Sequence, residues 1–125
     1  MVAQTLITGM IRQTLSALTS QAGERLRFDE PMSLHSSFRI GGSADAFFEP
    51  VETGEIAQAI RFCRTHELPC TIIGNGTNIL VADQGIRGLV LAIGDHFSGI
   101  EPVDGSFTVK AGTRLSALAA RAAQL

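Results

Sequence analysis

Between Asp45 and Ile73 the chain changes its hydrophobic period twice, and this narrows the folds open to it. Asp45–Pro50 (DAFFEP) reads as a strand closed by Pro50. Thr53 stands where an N-cap belongs, and Glu55 suits the positive end of the helix that follows. Ile56, Ala59, Ile60 and Cys63 recur at helical spacing and form its buried stripe. Arg64 and His66 fall in the last turn, and Pro69 stops the helix. Cys70–Ile73 is again short and apolar, a second buried strand. Strand, helix and strand joined in this way predict a parallel pair with a right-handed crossover.

What comes next is Gly74-Asn75-Gly76-Thr77-Asn78. The βαβ reading puts this loop at the carboxyl end of a parallel strand, where open α/β sheets hold their ligands. Two glycines around an asparagine let the backbone turn and approach another group closely. Successive N–H groups in such a turn can converge on an anion, and Thr77 and Asn78 add short polar side chains. Neither common phosphate motif is present. A Walker loop requires Gly-Lys-Ser/Thr after four residues, and a dinucleotide fingerprint requires a third glycine where Ile79 stands. The apolar run Ile79–Ala82 reads as another strand, so no helix N-terminus faces the loop. Taken alone, Gly74 to Asn78 fits a phosphate cradle and a plain tight turn equally well.

The flanks add an N-terminal amphipathic helix, with Leu6, Ile7, Met10, Ile11, Leu15 and Leu18 on one side and Gly23 as its stop. Phe28 to Gly42 shows no sustained period and reads as a crossing segment with little regular structure. Within it, Arg39 could pair with a phosphate or a carboxylate, or be an ordinary surface arginine. Gly88–Ile93 is a further strand, and Phe97–Val103 with Phe107–Ala111 form an antiparallel pair about Asp104-Gly105. Thr113 is placed to cap a last helix carrying Leu115, Leu118, Ala119, Ala122 and Leu125. The class is α+β: an N-terminal βαβ subdomain, then the start of a second, more antiparallel one. The last helix has no stop signal, so the chain is expected to be the N-terminal piece of a longer protein.

Other chemistries find little support. A net charge of −2 without a basic block gives no nucleic-acid footprint. Seven phenylalanines are the only aromatic residues, which removes the Tyr/Trp platforms of a single-strand binder. His35, His66 and His96 lie on unrelated segments without metal-ligand spacing and read as surface or structural histidines. Cys63, on a helix face, and Cys70, at the start of a buried strand, form no CxxC pair and read as inert buried thiols. Without a disulfide framework, a basic leader or an apolar run near the ~20 residues of a membrane span, a cytoplasmic protein is expected.

Three motifs in order make the pattern recognisable. Ser37-Phe38-Arg39-Ile40-Gly41-Gly42, then Ile72-Ile73-Gly74-Asn75-Gly76-Thr77-Asn78-Ile79-Leu80, then Gly85-Ile86-Arg87-Gly88 closely resemble the UDP-N-acetylenolpyruvoylglucosamine reductase (UDP-N-acetylmuramate dehydrogenase) family. The likeness runs from about Pro31 onward, with Val109-Lys110-Ala111-Gly112 in its expected place. It implies an FAD-binding domain of the vanillyl-alcohol-oxidase/PCMH type over residues 28–125, incomplete at its C-terminus, after an N-terminal helix and linker over 1–27. It also implies that Gly74, Asn75, Gly76, Thr77 and Asn78 hold the FAD pyrophosphate.

In that family NADPH reduces the flavin, which passes hydride to the enolpyruvyl group of UDP-N-acetylglucosamine enolpyruvate for peptidoglycan synthesis. The family's proton-donating serine, catalytic arginine and glutamate, and substrate-binding domain are not matched within the chain. No catalytic residue is therefore assigned here, and weak flavin binding with little reductase activity is expected of these 125 residues alone. Alternatives remain: another flavoprotein of the superfamily, such as a molybdenum-hydroxylase flavin subunit, a non-catalytic nucleotide-binding or interaction module, or a purely structural α/β domain.

Overall fold

A computed structural model describes residues 9, 10, 12, 13 and 22–125. The N-terminal helix expected over Leu6 to Leu18 falls largely outside them. The main element is a four-stranded sheet of β1 (Leu26–Pro31), β2 (Ser43–Phe48), β3 (Cys70–Ile73) and β4 (Ile86–Ala92), in the order β1-β2-β4-β3. β1 runs antiparallel to β2, whereas β2 and β3 each pair parallel with β4. Helix α1 (Thr53–Thr65) connects β2 to β3. The crossover expected from sequence is therefore present, but its two strands are not neighbours, because β4 inserts between them.

β4 takes the central place because Leu89, Val90, Leu91 and Ala92 are all buried and need cover on both faces. On one face Leu89 and Leu91 join Ala46, Phe48, Ala59 and Cys63 beneath α1, with Ile56 and Ile60 packed against them as the helical stripe predicted. On the other, Val90 and Ala92 join Met32, Phe47, Ile73 and Val81. β3 lies at the edge, so Cys70 and Ile72 are exposed and only Ile73 is buried, contrary to a fully buried strand. Of the two thiols only Cys63 is buried; desolvation, with Cys70 beside it, pushes it up to about 12.

The parallel pairing of β2 with β4 shifts register between Ala44 and Ala46. The irregularity is stabilised by Asp45, which is buried. Its carboxylate accepts the Gly88 N–H at 2.8 Å and lies 3.2 Å from Arg87 Nη1. Gly88 has φ +84, and a Cβ there would lie 2.1 Å from the Pro69 carbonyl oxygen.

Four local expectations are corrected. Leu26–Pro31 is a strand followed by a 3₁₀ turn at Met32–Leu34, so the segment after Phe28 is more regular than its lack of period suggested. Ile79–Ala82 is not a strand: among the described residues its one lateral backbone hydrogen bond is Gly42 N–H to Ala82 O at 2.9 Å, and Leu80 is exposed. Thr53 is the first residue of α1 and caps nothing. Thr113 precedes helix α2 (Leu115–Ala123), and its hydroxyl exchanges hydrogen bonds with the Gly99 backbone instead of the helix. The hairpin forms as expected, in shortened form, from β5 (Ile100–Val103) and β6 (Ser106–Val109). Asp104 (φ 44) and Gly105 (φ 79) make a two-residue turn with both central residues left-handed, the type I′ arrangement that matches strand twist.

The chain entering α1 is fixed by Glu55. Its carboxylate accepts the Val51 N–H at 2.9 Å and takes Arg25 in a fork at 3.0 and 2.8 Å, while Arg25 also donates to Glu49 O at 3.0 Å. The Arg25 hydrogen bonds hold the Glu55 carboxyl below its ordinary value, more than burial raises it. A depressed folded-state pKa contributes stability above the unfolded value and loses it as pH falls through the folded one. Glu55→Gln should therefore cost on the order of 1–2 kcal/mol at pH 7. The deficit against the unsubstituted chain should begin to shrink as pH falls below the ordinary glutamate value of about 4.3 and vanish once the depressed folded-state carboxyl is protonated, as measured by urea unfolding across pH.

Candidate functional site

A cleft of about 420 Å³ opens beyond the carboxyl ends of the three parallel strands. Each strand delivers a residue to it: Glu49 after β2, Gly74 and Asn75 after β3, and Gly94, Asp95 and His96 after β4. The segment from Leu34 to Arg39 forms the opposite wall, and Arg114 closes one side. The glycine loop is thus where the βαβ reading put it, at the mouth of a parallel sheet.

The five loop residues are not equivalent. Gly74 and Asn75 line the cleft, whereas Gly76, Thr77 and Asn78 do not. Gly76 is buried, and it is the residue through which the loop is docked. At φ +72 its missing Cβ would sit 1.8 Å from the His35 carbonyl oxygen. Ser37 N–H donates to Gly76 O at 3.0 Å, and the buried Ser36 hydroxyl donates to Ile79 O at 3.2 Å. Around this anchor, the N–H groups of residues 75–78 and the side chains of Asn75, Thr77 and Asn78 have no hydrogen-bond partner among the described residues. The loop therefore presents a run of unused donors on a fixed base, which suits an oxyanion. At Gly74 no atom lies within 4 Å of where a Cβ would stand, so the approach is open.

Around the cleft the charges are mostly matched. His35 Nε2 lies 2.8 Å from Glu30 and its ring stacks on Phe47 at 4.0 Å. His96 lies 3.6 Å from Glu49. Arg114 forks onto Asp95 at 3.1 and 3.0 Å, which holds the Asp95 carboxyl below its usual range. Two of the three histidines, read from sequence as surface or structural groups, thus line the cleft; His66 instead stacks on Phe62 and contacts its carbonyl oxygen at 3.0 Å. Glu49, Asp95, His96 and Arg114 were not grouped by sequence reasoning. The signal available for the first three was their position just after a parallel strand.

The donor-rich loop fits a phosphate-bearing cofactor, and comparison with known proteins names one. The model of a family described as FAD binding domain matches residues 44–125. The chain belongs to that family. The α+β fold and the FAD assignment expected from the motifs agree with it. The chain is also similar to curated proteins called UDP-N-acetylenolpyruvoylglucosamine reductase. It is 40% identical over 100 residues to the one from Syntrophomonas wolfei, covering 80% of this chain and 33% of that protein. For Desulforamulus reducens the identity is 42% over 108 residues, covering 81% and 36%. For Heliobacterium modesticaldum it is 46% over 90 residues, covering 72% and 29%. The chain spans about a third of the length of these relatives.

Within this FAD-binding domain the two loop glycines should respond differently to substitution. Gly76→Ala forces a left-handed alanine into the His35 carbonyl and should destabilise the chain by roughly 3 kcal/mol or more. Gly74→Ala meets open space and should leave the melting temperature within a few degrees, while weakening FAD at least several-fold through the cleft. Calorimetric melting beside a flavin titration separates the two effects.

Proposed function

We propose that the chain supplies the FAD-cradling part of an NADPH-dependent UDP-N-acetylenolpyruvoylglucosamine reductase acting in the bacterial cytoplasm. The observation that carries this reading is the donor-rich loop at the carboxyl ends of parallel strands, in a member of the FAD binding domain family. The similarity to reductases of that name supplies the reaction. In this reading Gly74, Asn75, Gly76, Thr77 and Asn78 serve the pyrophosphate. Asn75 to Asn78 offer N–H donors, Asn75, Thr77 and Asn78 offer side chains, and Gly76 sets the loop's position. When bound, the flavin would supply hydride transfer from NADPH to the enolpyruvyl ether of UDP-N-acetylglucosamine enolpyruvate. The residues present here bind and orient; no proton donor for that reaction is assigned among them.

The domain reading places residues 1–27 before the cofactor-binding unit and residues 28–125 within it, and β1 begins at Leu26, close to that boundary. The alternatives, a different flavoprotein of the superfamily or a non-catalytic nucleotide-binding module, are distinguished by turnover. The purified chain, titrated with FAD, should quench flavin fluorescence weakly but saturably, with a curve that fits one site per chain. A protein containing this chain at the length of its relatives should oxidise NADPH only when the enolpyruvyl nucleotide is added. FAD binding without oxidation dependent on that nucleotide would favour the alternatives, a flavin reducible by another donor pointing to a different flavoprotein and an unreactive one to the non-catalytic module, and no FAD binding at all would remove the loop assignment.

A further inference from the structure

Arg39 has two properties that the pairing of charges around the cleft makes conspicuous. It lines the same cleft as Gly74 and Asn75, and its guanidinium has no anionic partner among the described residues. The other cationic or titratable nitrogen groups of the lining are each next to a carboxylate: His35 to Glu30, His96 to Glu49 and Arg114 to Asp95. Arg39 also has φ 55, a left-handed conformation that a non-glycine side chain rarely holds. It is held there by the turn that docks the loop, in which Arg39 N–H donates to Ser36 O at 3.0 Å and Phe38 N–H to the Ser36 hydroxyl at 3.3 Å. Of the four described non-glycine residues with this conformation, Asp29, Arg39, Glu67 and Asp104, Arg39 is the one that lines the cleft.

A planar guanidinium suits two phosphoryl oxygens at once, while unused loop amides suit the others. We infer that Arg39 is a diphosphate-binding residue, clamping from the Ser36–Arg39 wall the same diphosphate group that the Gly74–Asn78 loop cradles from the sheet side. This inference rests on the FAD reading proposed above and extends it to a residue outside the loop. Ser36 couples the two halves, because its hydroxyl bonds the far end of the loop at Ile79 O and its carbonyl closes the turn at Arg39. The shared ligand chemistry is a diphosphate diester, which both FAD and a UDP-sugar carry.

The test uses the purified chain with Arg39→Asn, which tolerates the left-handed backbone but removes the charge, and Arg39→Lys, which keeps charge without the fork. FAD, riboflavin and UDP-N-acetylglucosamine are titrated against each, with melting temperature as the control. For FAD, Arg39→Asn should raise Kd about tenfold and Arg39→Lys by less, with melting unchanged or raised and riboflavin binding unaffected. A loss confined to UDP-N-acetylglucosamine would assign the clamp to the nucleotide-sugar diphosphate instead. Equal binding of both diphosphates by Arg39→Asn and the unsubstituted chain overturns the inference while leaving the FAD reading intact. An equal loss for riboflavin, which has no phosphate, also overturns it. Failure of the unsubstituted chain to bind FAD removes both.

Discussion

The contact of Gly76 with the His35 carbonyl is the constraint on which the site depends. Only a residue without a Cβ allows two backbones to meet there, and the contact makes one rigid body of segments far apart in sequence. The loop brings the carboxyl end of β3, and the partner segment brings the turn from Ser36 to Arg39. Because Ser37 N–H and the Ser36 hydroxyl satisfy carbonyls at Gly76 and Ile79, the amides between them remain unspent. Anchoring falls to Gly76, while the neighbouring residues of the same short loop keep donors free.

That division bears on what was legible in the sequence and what was not. The strand-helix-strand rhythm from Asp45 to Ile73 was readable because α1 covers one face of the sheet and its stripe had to be apolar. The insertion of β4 between β2 and β3 left only a weak trace. The run Leu89-Val90-Leu91-Ala92 is apolar at every position, as a central parallel strand should be, but pairing order is a long-range property. The strand at Leu26–Pro31 was missed because its burial does not alternate cleanly, with Arg27 and Glu30 tied to Glu49 and His35 along one side of the sheet. Ile79–Ala82 looked like a strand because Ile79 and Val81 do turn inward, yet they do so to cover one face of the sheet without joining a ladder.

The cleft was legible in outline for a related reason. Parallel strands all end on the same side, so knowing that Gly74 follows β3 was enough to place the mouth of the site. Glu49 and the Gly94-Asp95-His96 stretch end up there by the same rule once β2 and β4 are known to run with β3. The Ser36–Arg39 wall is different. No periodicity leads to it. It reaches the cleft only through hydrogen bonds from backbone and hydroxyl groups between distant parts of the chain, such as Ser36 to Ile79, 43 positions apart.

Stability is unevenly distributed around this arrangement, and the cleft straddles the boundary. The four-stranded sheet holds two apolar clusters and the buried Asp45 carboxylate, so its opening requires losing most of the core. α2 has no buried residue, and Leu115 is 80% exposed. Its link to the cleft is the Arg114–Asp95 pair, whose side chains are about 60% exposed and whose contribution in water is small. The Thr113–Gly99 exchange and the Gly112 N–H donated to Phe97 O at 2.9 Å fasten the preceding turn better than the helix itself. The sheet-side walls of the cleft, with the loop and the Ser36–Arg39 turn, are therefore set before any ligand arrives. The Arg114 side can shift at little cost, so any contact made there adds to a cleft whose other walls are already formed.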